Sequence, residues 1–123
     1  MTTSYGPYSP VREGGNFLFV SGQVGISPGS KTSEDTAAKQ CEQALENMKH
    51  ALNEMGADMQ DIVKTTIFLT NMDDFDAVNA VYEKFFQTPR PARSTVGVHE
   101  LPRVGGKIPL VVEIEAIAYK ELS

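Results

Sequence analysis

Two charged side chains and a tyrosine in this sequence have the type and setting to act on a small anionic substrate. Arg93 follows residues 88–92 (TPRPA), which contain two prolines, and it begins a segment rich in β-branched residues. Because proline fixes the backbone at low entropic cost, the guanidinium is expected to be firmly directed. A guanidinium in this setting can bind a carboxylate through two N–H donors. The alternative is a solvated arginine at the start of a strand.

Glu113 stands inside the apolar run VVEIEAIA, where burying an unpaired carboxylate is costly. One interpretation pairs it with Lys64, Arg93 or Arg103 across an interface. The other makes it an acid or base with a raised pKa beside a small pocket. Tyr8 follows Gly-Pro near the chain start and is either a site residue or a packed aromatic.

The sequence offers no pattern for a metal or an organic cofactor. His50, His99 and the single cysteine, Cys41, share no metal-ligand spacing. Cys41 lies on the apolar stripe of a predicted helix, so we expect an inert core thiol. The glycine pairs at 14–15 and 105–106 lack the lysine and helix context of a phosphate loop.

Composition predicts a single domain over residues 1–123. The net charge of -5, without a dense basic run, argues against nucleic acid as the main partner. No apolar run approaches the roughly 20 residues of a membrane span, and residues 1–10 lack the pattern of a secretory signal. With one cysteine, a reducing compartment is favoured, and a cytoplasmic location is expected.

Hydrophobic periodicity predicts two helices among five strands. The strands are 8–12 (weak), 16–21, 61–70, 93–98 and 110–119, and the helices are 33–55 and 73–86. Thr32 or Ser33 is expected to cap the first helix and Gly56 to end it, while Asn71 or Asp73 caps the second. The order ββαβαββ predicts an α+β two-layer sandwich, a mixed sheet with both helices on one face.

The two faces of the predicted sheet differ in character. One face is expected to pack under the helices, with Val63, Thr65, Ile67 and Leu69 from one strand and Leu110, Val112 and Ile114 from the last. The other carries an apolar band around two glutamates: Phe68, Val111, Glu113, Glu115, Ile117 and Phe17 or Phe19. Such a band is typical of an interface, so we expect oligomerisation through this face. A tolerated exposed face is the alternative.

Several stretches in order along nearly the whole chain resemble the RidA/YjgF/UK114-like family of enamine and imine deaminases. They are GPYSP (6–10), FVSGQVG (19–25), EQALENM (42–48), residues 61–86, PARSTVGVHELP (91–102) and VEIEAIA (112–118). The resemblance implies a chorismate mutase-like fold. It also implies a homotrimer whose sheets close into a central barrel, with clefts between neighbouring subunits.

The resemblance also implies roles for individual residues. Arg93 would bind the carboxylate of 2-aminoacrylate or its imine tautomer, and Glu113 would lie near the imine carbon and a water. Tyr8 would line the cleft, and Asn79 of the N-x-x-Y motif would be structural or at its rim. Backbone contacts would come from Gly22, Ser94 and Thr95. The implied reaction is hydrolysis to a 2-ketoacid and ammonia, without a metal or cofactor.

Two segments depart from the family pattern: Pro10 replaces a glutamine or other polar residue, and residues 103–109 make a longer connection. Two alternatives to deamination stay open. A non-catalytic trimer would capture a 2-ketoacid at Arg93 without turnover. A ribonuclease is the other, and the negative charge argues against it.

Overall fold

A computed structural model describes residues 4–121. The strands are β1 (Val11–Gly14), β2 (Phe17–Val24), β3 (Ile62–Leu69), β4 (Ala92–Gly97) and β5 (Val112–Tyr119), and the helices are α1 (Ala37–Glu54) and α2 (Phe75–Tyr82). The sheet order is β1-β2-β5-β3-β4, with β3 and β4 parallel and the other pairs antiparallel. Helix α1 packs against β2, β5 and α2. The predicted two-layer α+β fold is confirmed.

Helix α1 begins later than predicted, because Ser33 has another partner. Thr36 is the N-cap, and its side chain accepts a hydrogen bond from the Lys39 N–H at 3.1 Å. Ser33 is buried, and its backbone N–H and hydroxyl both donate to the carbonyl of Gly105. The prediction of Thr32 or Ser33 as the cap is therefore wrong. The helix ends before Gly56 as predicted, and this glycine has φ +77.

Helix α2 is shorter than predicted at both ends. A 3-10 turn, Met72–Asp74, precedes it, and Asn71 caps that turn by accepting from the Asp73 N–H at 2.9 Å. The helix ends at Tyr82, although Phe86 is still buried in the core. Asp73 therefore caps neither segment.

The start of β3 breaks the predicted alternation of faces. A register shift between Ile62 and Lys64 places Ile62 in the core and leaves Val63 47% exposed. From Thr65 onward the prediction holds: Thr65, Ile67 and Leu69 are fully buried beneath the helices.

The last strand begins at Val112, so the two residues before it do not follow its alternation. Val111, predicted for the open face, packs against the main core, and its N–H donates to the Gln40 side chain at 2.8 Å. Leu110, predicted beneath the helices, joins a second apolar cluster with Val24 and Ile26. The prediction for Val111 is wrong because a loop geometry, not a strand, applies there, whereas Leu110 is buried, although outside the main cluster.

The face of the sheet opposite the helices is apolar and open, as predicted. Phe17, Phe19, Val96 and Tyr119 are each about 40% exposed. Phe17 and Tyr119 form an edge-to-face pair with ring centroids 5.2 Å apart, and Phe19 lies opposite Ile117. We call this surface, with Phe68, the open face. In the part of the chain described, no helix has the length and hydrophobicity to cross a bilayer.

Candidate active site

Glu113 lies on the open face with its carboxylate against the backbone of β2. The pairing of β2 with β5 shifts register between Val20 and Gln23, which makes Gly22 part of an irregularity in the strand. A Cβ at Gly22 would lie only 2.5 Å from Glu113 Oε2. The absent side chain at residue 22 is therefore what makes room for the carboxylate.

The surroundings of Glu113 make its charged form less favourable than that of a free glutamate and so raise its pKa. The side chain is half-buried, and burial, followed by the negative charge of Glu115, raises its pKa. Lys64 donates instead to the Thr65 carbonyl and the Thr66 hydroxyl, and Arg103 pairs with Glu100 at 2.9 Å. Within residues 4–121 of one chain, Glu113 pairs with none of Lys64, Arg93 and Arg103, and a pairing across an interface stays a prediction. A half-buried carboxyl with a raised pKa is suited to proton transfer.

The segment carrying Tyr8 runs beside this carboxylate. The Ser21 hydroxyl donates to the Ser9 carbonyl at 2.6 Å, and the Ser21 N–H donates to that of Pro10 at 2.9 Å. These bonds fasten residues 9–10 next to Gly22. The Tyr8 ring is 46% exposed, and its hydroxyl accepts from the Tyr5 N–H at 3.1 Å. We call Gly22, Glu113 and residues 8–10 the glutamate half-site.

Arg93 lies on the edge strand β4, half-buried against two rings of α2. Its Cζ atom is 4.9 Å from the ring centroid of Tyr82 and 5.6 Å from that of Phe75. The Tyr82 hydroxyl forms a buried 2.7 Å hydrogen bond with Thr65, the residue that pairs with Arg93 in the sheet. The guanidinium is thus held by cation–π contacts to rings that are fixed by the core. We call Arg93, Thr95, Phe75 and Tyr82 the arginine half-site.

Ionisable groups beneath Arg93 are kept neutral. Burial raises the pKa of Tyr82, while the hydrogen bond from Thr65 and the charge of Arg93 oppose that shift. Burial raises the pKa of Cys41 to about 12, again against the influence of Arg93. The expected inert core thiol is confirmed as a buried one. The positive charge of Arg93 is therefore uncompensated by any thiolate or phenolate below it.

One chain does not bring Arg93 and Glu113 together. Arg93 pairs with Thr65, which faces the helices, whereas Glu113 pairs with Phe68, three residues further along β3. Since side chains alternate along a strand, an odd separation places the two charged groups on opposite faces. Thr95 shares the face of Arg93, and Ser94 shares that of Glu113.

Phe75 and Tyr82 fall within the second predicted helix, 73–86, but the sequence did not predict their contact with Arg93. Their seven-residue spacing shows that they share a helix face. Contact with Arg93 depends on where α2 crosses the sheet edge, which no local pattern reports.

The longer connection 103–109 is anchored to α1. Gln40 is buried, and its amide donates to the carbonyls of Glu34 and Pro109, both at 3.0 Å. With Ser33 bound to Gly105, these contacts hold the loop at two points. Beneath it lies a cavity of about 320 Å³, whose lining includes Leu101 and Lys107.

A metal-centred site finds no support in residues 4–121, where His, Cys, Asp and Glu side chains form no group of three that could hold an ion.

The chain is similar to known proteins over nearly its whole length. Residues 2–120 match the family model described as endoribonuclease L-PSP. The 2-iminobutanoate/2-iminopropanoate deaminase of Dermatophagoides farinae is 44% identical over 119 residues, 94% of this chain and 88% of that protein.

Two solved structures have the same architecture. A putative endoribonuclease from Thermotoga maritima is 45% identical with a TM-score of 0.85, over 95% of this chain and 89% of that one. The E. coli protein TdcF with bound serine is 35% identical with a TM-score of 0.86, over 95% and 91%.

Proposed function

Because the chain belongs to the YjgF/RidA family, we propose that it hydrolyses reactive imines of the 2-iminopropanoate type, and their enamine tautomers, to a 2-ketoacid and ammonia. A relative named as a deaminase of such imines, 44% identical, supports this reaction. The observation that carries this proposal is the presence of two groups suited to the reaction. The guanidinium of Arg93 is held by aromatic rings and can bind a carboxylate, and the carboxyl of Glu113 has a raised pKa and no ion-pair partner within the described residues.

Arg93 supplies orientation. Its N–H edge binds the substrate carboxylate in a two-point contact, while the rings of Tyr82 and Phe75 hold the guanidinium in place. A bound carboxylate fixes the neighbouring imine carbon, so the main contribution is proximity. Backbone N–H groups near Thr95 and Ser94 polarise the site.

Glu113 handles the protons. Its carboxylate takes a proton from a water whose oxygen bonds to the imine carbon, and it returns this proton to the imine nitrogen, which has received the electron pair of the C=N bond. In the resulting carbinolamine the carboxylate takes the hydroxyl proton and passes it to the amino nitrogen, so that the C=O bond forms as the C–N bond breaks and the nitrogen leaves as ammonia with the electron pair of that bond. Carbon becomes the carbonyl of the ketoacid. One water is consumed, and the glutamate ends in its starting state.

Each active cleft takes the arginine half-site from one subunit and the glutamate half-site from its neighbour in a homotrimer. Support comes from the placement of the two groups on opposite faces of one sheet. The exposed rings of the open face support an interface beside Glu113. A cyclic trimer repeats one heterologous contact three times and so completes three clefts.

A subunit-mixing experiment tests both the proposed reaction and the proposed division of each cleft between two subunits. Arg93→Ala and Glu113→Gln are each expected to be inactive when a serine dehydratase supplies 2-aminoacrylate and pyruvate appearance is followed. Unfolded together in equal amounts and refolded, they form mixed trimers in which about one quarter of the clefts join an intact Arg93 to an intact Glu113.

Recovered activity near that fraction supports the proposal. Separately refolded variants mixed immediately before the assay are the control, because none of their trimers contains a cleft with both groups intact. If the wild type fails to accelerate pyruvate formation, the deaminase proposal is wrong; if only the mixture fails, the division between subunits is wrong.

A non-catalytic trimer that binds small carboxylates is the second candidate, favoured by the serine bound to TdcF. It predicts that wild type and Glu113→Gln bind 2-ketobutyrate alike, that Arg93→Ala does not, and that none accelerates ammonia release. Ribonuclease activity, which the family description names, is disfavoured for this chain by the net charge of -5.

A further inference from the structure

The face of α2 that holds Arg93 contains a third residue, Asn79. It lies four residues after Phe75 and three before Tyr82, so all three share one side of the helix. Both aromatic neighbours contact the guanidinium of Arg93. Asn79 therefore lies between the two rings that clamp the arginine.

The side-chain oxygen of Asn79 lacks a partner. Among buried side-chain nitrogen and oxygen atoms of residues 4–121, it alone makes no hydrogen bond. Other buried polar side chains are satisfied: Gln40 bonds to three residues, and Thr65 bonds to Tyr82. A buried acceptor without a donor is unfavourable and calls for a physical explanation. Since the atom is already enclosed within one chain, the donor has to come from that chain or from a small molecule.

The guanidinium of Arg93 is the complementary group. It carries five N–H donors and no acceptor. Within the described part of the chain it makes ring contacts but no hydrogen bond or ion pair. The Arg93 guanidinium, which can only donate, and the Asn79 oxygen, an acceptor without a donor, are thus flanked by the same two rings.

We propose that Asn79 is a positioning residue for Arg93: the two make no hydrogen bond in this structure, and a side-chain rotation lets the Asn79 carbonyl accept one guanidinium N–H and turn the opposite edge toward the substrate carboxylate. This inference rests on the proposed function of Arg93 and adds the element that sets its direction. Ring contacts tolerate rotation of the guanidinium in its own plane, because the attraction is spread over the ring face. A single in-plane hydrogen bond removes that freedom.

The variant Asn79→Leu removes the acceptor at similar volume, and Asn53→Leu, on the exposed surface of α1, is the matched control. We expect Asn79→Leu to weaken 2-ketobutyrate binding and to raise KM by about tenfold, the loss of roughly one hydrogen bond to a charged group. The kcat should change by less than about threefold, since chemistry at Glu113 is untouched.

A readout on the free protein separates this inference from the proposed function. In 15N NMR spectra of the ligand-free wild type, one guanidinium N–H of Arg93 should give a signal protected from solvent exchange. Asn79→Asp, which keeps an acceptor and the shape, should retain this signal, whereas Asn79→Leu should lose it.

An unchanged Arg93 signal in Asn79→Leu overturns the inference, as does an equal loss of kcat and affinity in that variant. If Asn79→Leu does not fold, the absence of a protected Arg93 signal in wild type and Asn79→Asp overturns it equally. Absence of deamination by a wild type with a protected signal would instead count against the proposed reaction alone.

Discussion

The α-carbon of Gly22 forms one wall of the space that holds the Glu113 carboxylate. A methyl group there would lie 2.5 Å from Oε2 and 2.7 Å from the carboxyl carbon. Atoms essentially never approach a Cβ that closely, so either the strand or the carboxylate would have to move. The irregularity in β2 and the position of the Glu113 carboxylate on β5 are therefore coupled through a residue with no side chain.

Gly22→Ala is expected to reduce kcat by about 10- to 100-fold, because the added methyl group displaces the carboxylate by the order of an ångström. It should also lower the free energy of unfolding by about 1–3 kcal/mol through overpacking. Steady-state kinetics and urea unfolding measure the two effects.

Gly97→Ala is the matched control, a second strand glycine whose added Cβ would meet its nearest neighbour, Met72, at 3.4 Å. Its kcat should stay within a factor of two of wild type. Equal losses in both variants would show that glycine content of the strands, and not the contact with Glu113, matters.

The local sequence predicted the buried face of helix α1 but not the residue at which the helix begins. Periodicity correctly placed the apolar stripe of α1, since Cys41 and Leu52 are fully buried. It failed at the N-terminus because Ser33 bonds to Gly105, 72 residues away. Capping preferences are local, and a cap residue recruited by a distant loop cannot be identified from its neighbours.

The candidate site was also predictable only in part. The family resemblance predicted site roles for Arg93 and Glu113, and strand alternation predicted an open face around Glu113. The separation of these two residues by the sheet follows from the parallel register of β3 with β4, which pairs Thr65 with Arg93. Register between strands 28 residues apart in sequence depends on the crossover through α2 and leaves no local signature.

Arg93→Lys is expected to raise KM for the imine, and the Kd for 2-ketobutyrate, by about 10- to 100-fold while the fold is retained. A lysine keeps the charge but cannot offer two parallel donors or stack on the Tyr82 ring in the same way. Isothermal titration with 2-ketobutyrate measures this effect. Arg12→Lys, on the exposed strand β1, should bind like wild type; a Kd for Arg93→Lys within a factor of two of wild type would rule out a two-point contact.

The pH dependence of activity should show a single acid limb that belongs to Glu113. Its pKa is raised by burial and by Glu115, so the base form is lost at a higher pH than for an ordinary glutamate. Activity is expected to fall as pH decreases through that raised value. Glu115→Gln removes the like charge and should move the limb to lower pH, whereas an unshifted limb would assign it to another group.

The raised pKa of Glu113 also affects the stability of the protein. A carboxyl whose pKa is raised on folding stabilises the protein while protonated, and this contribution is lost as pH rises through the folded-state value. Glu113→Gln, which is neutral throughout, should therefore be more stable than wild type at neutral pH. The difference should vanish below about pH 4, near the ordinary pKa of glutamate. Thermal unfolding across pH measures it, and a variant less stable at pH 7 would contradict the assigned direction.

Phe19→Asp tests whether the open face is the surface on which subunits meet. Phe19 is 45% exposed and lies opposite Ile117, so a carboxylate there would be buried without a partner if another chain covers it. Light scattering after size exclusion should give a trimer for the wild type and a monomer for the variant. Deamination should be lost with the trimer, because in the proposed cleft Arg93 and Glu113 come from different subunits. Asn53→Asp adds the same charge on the helix layer and should stay trimeric and active; a monomeric Phe19→Asp that retains full activity would show that one chain holds the whole site.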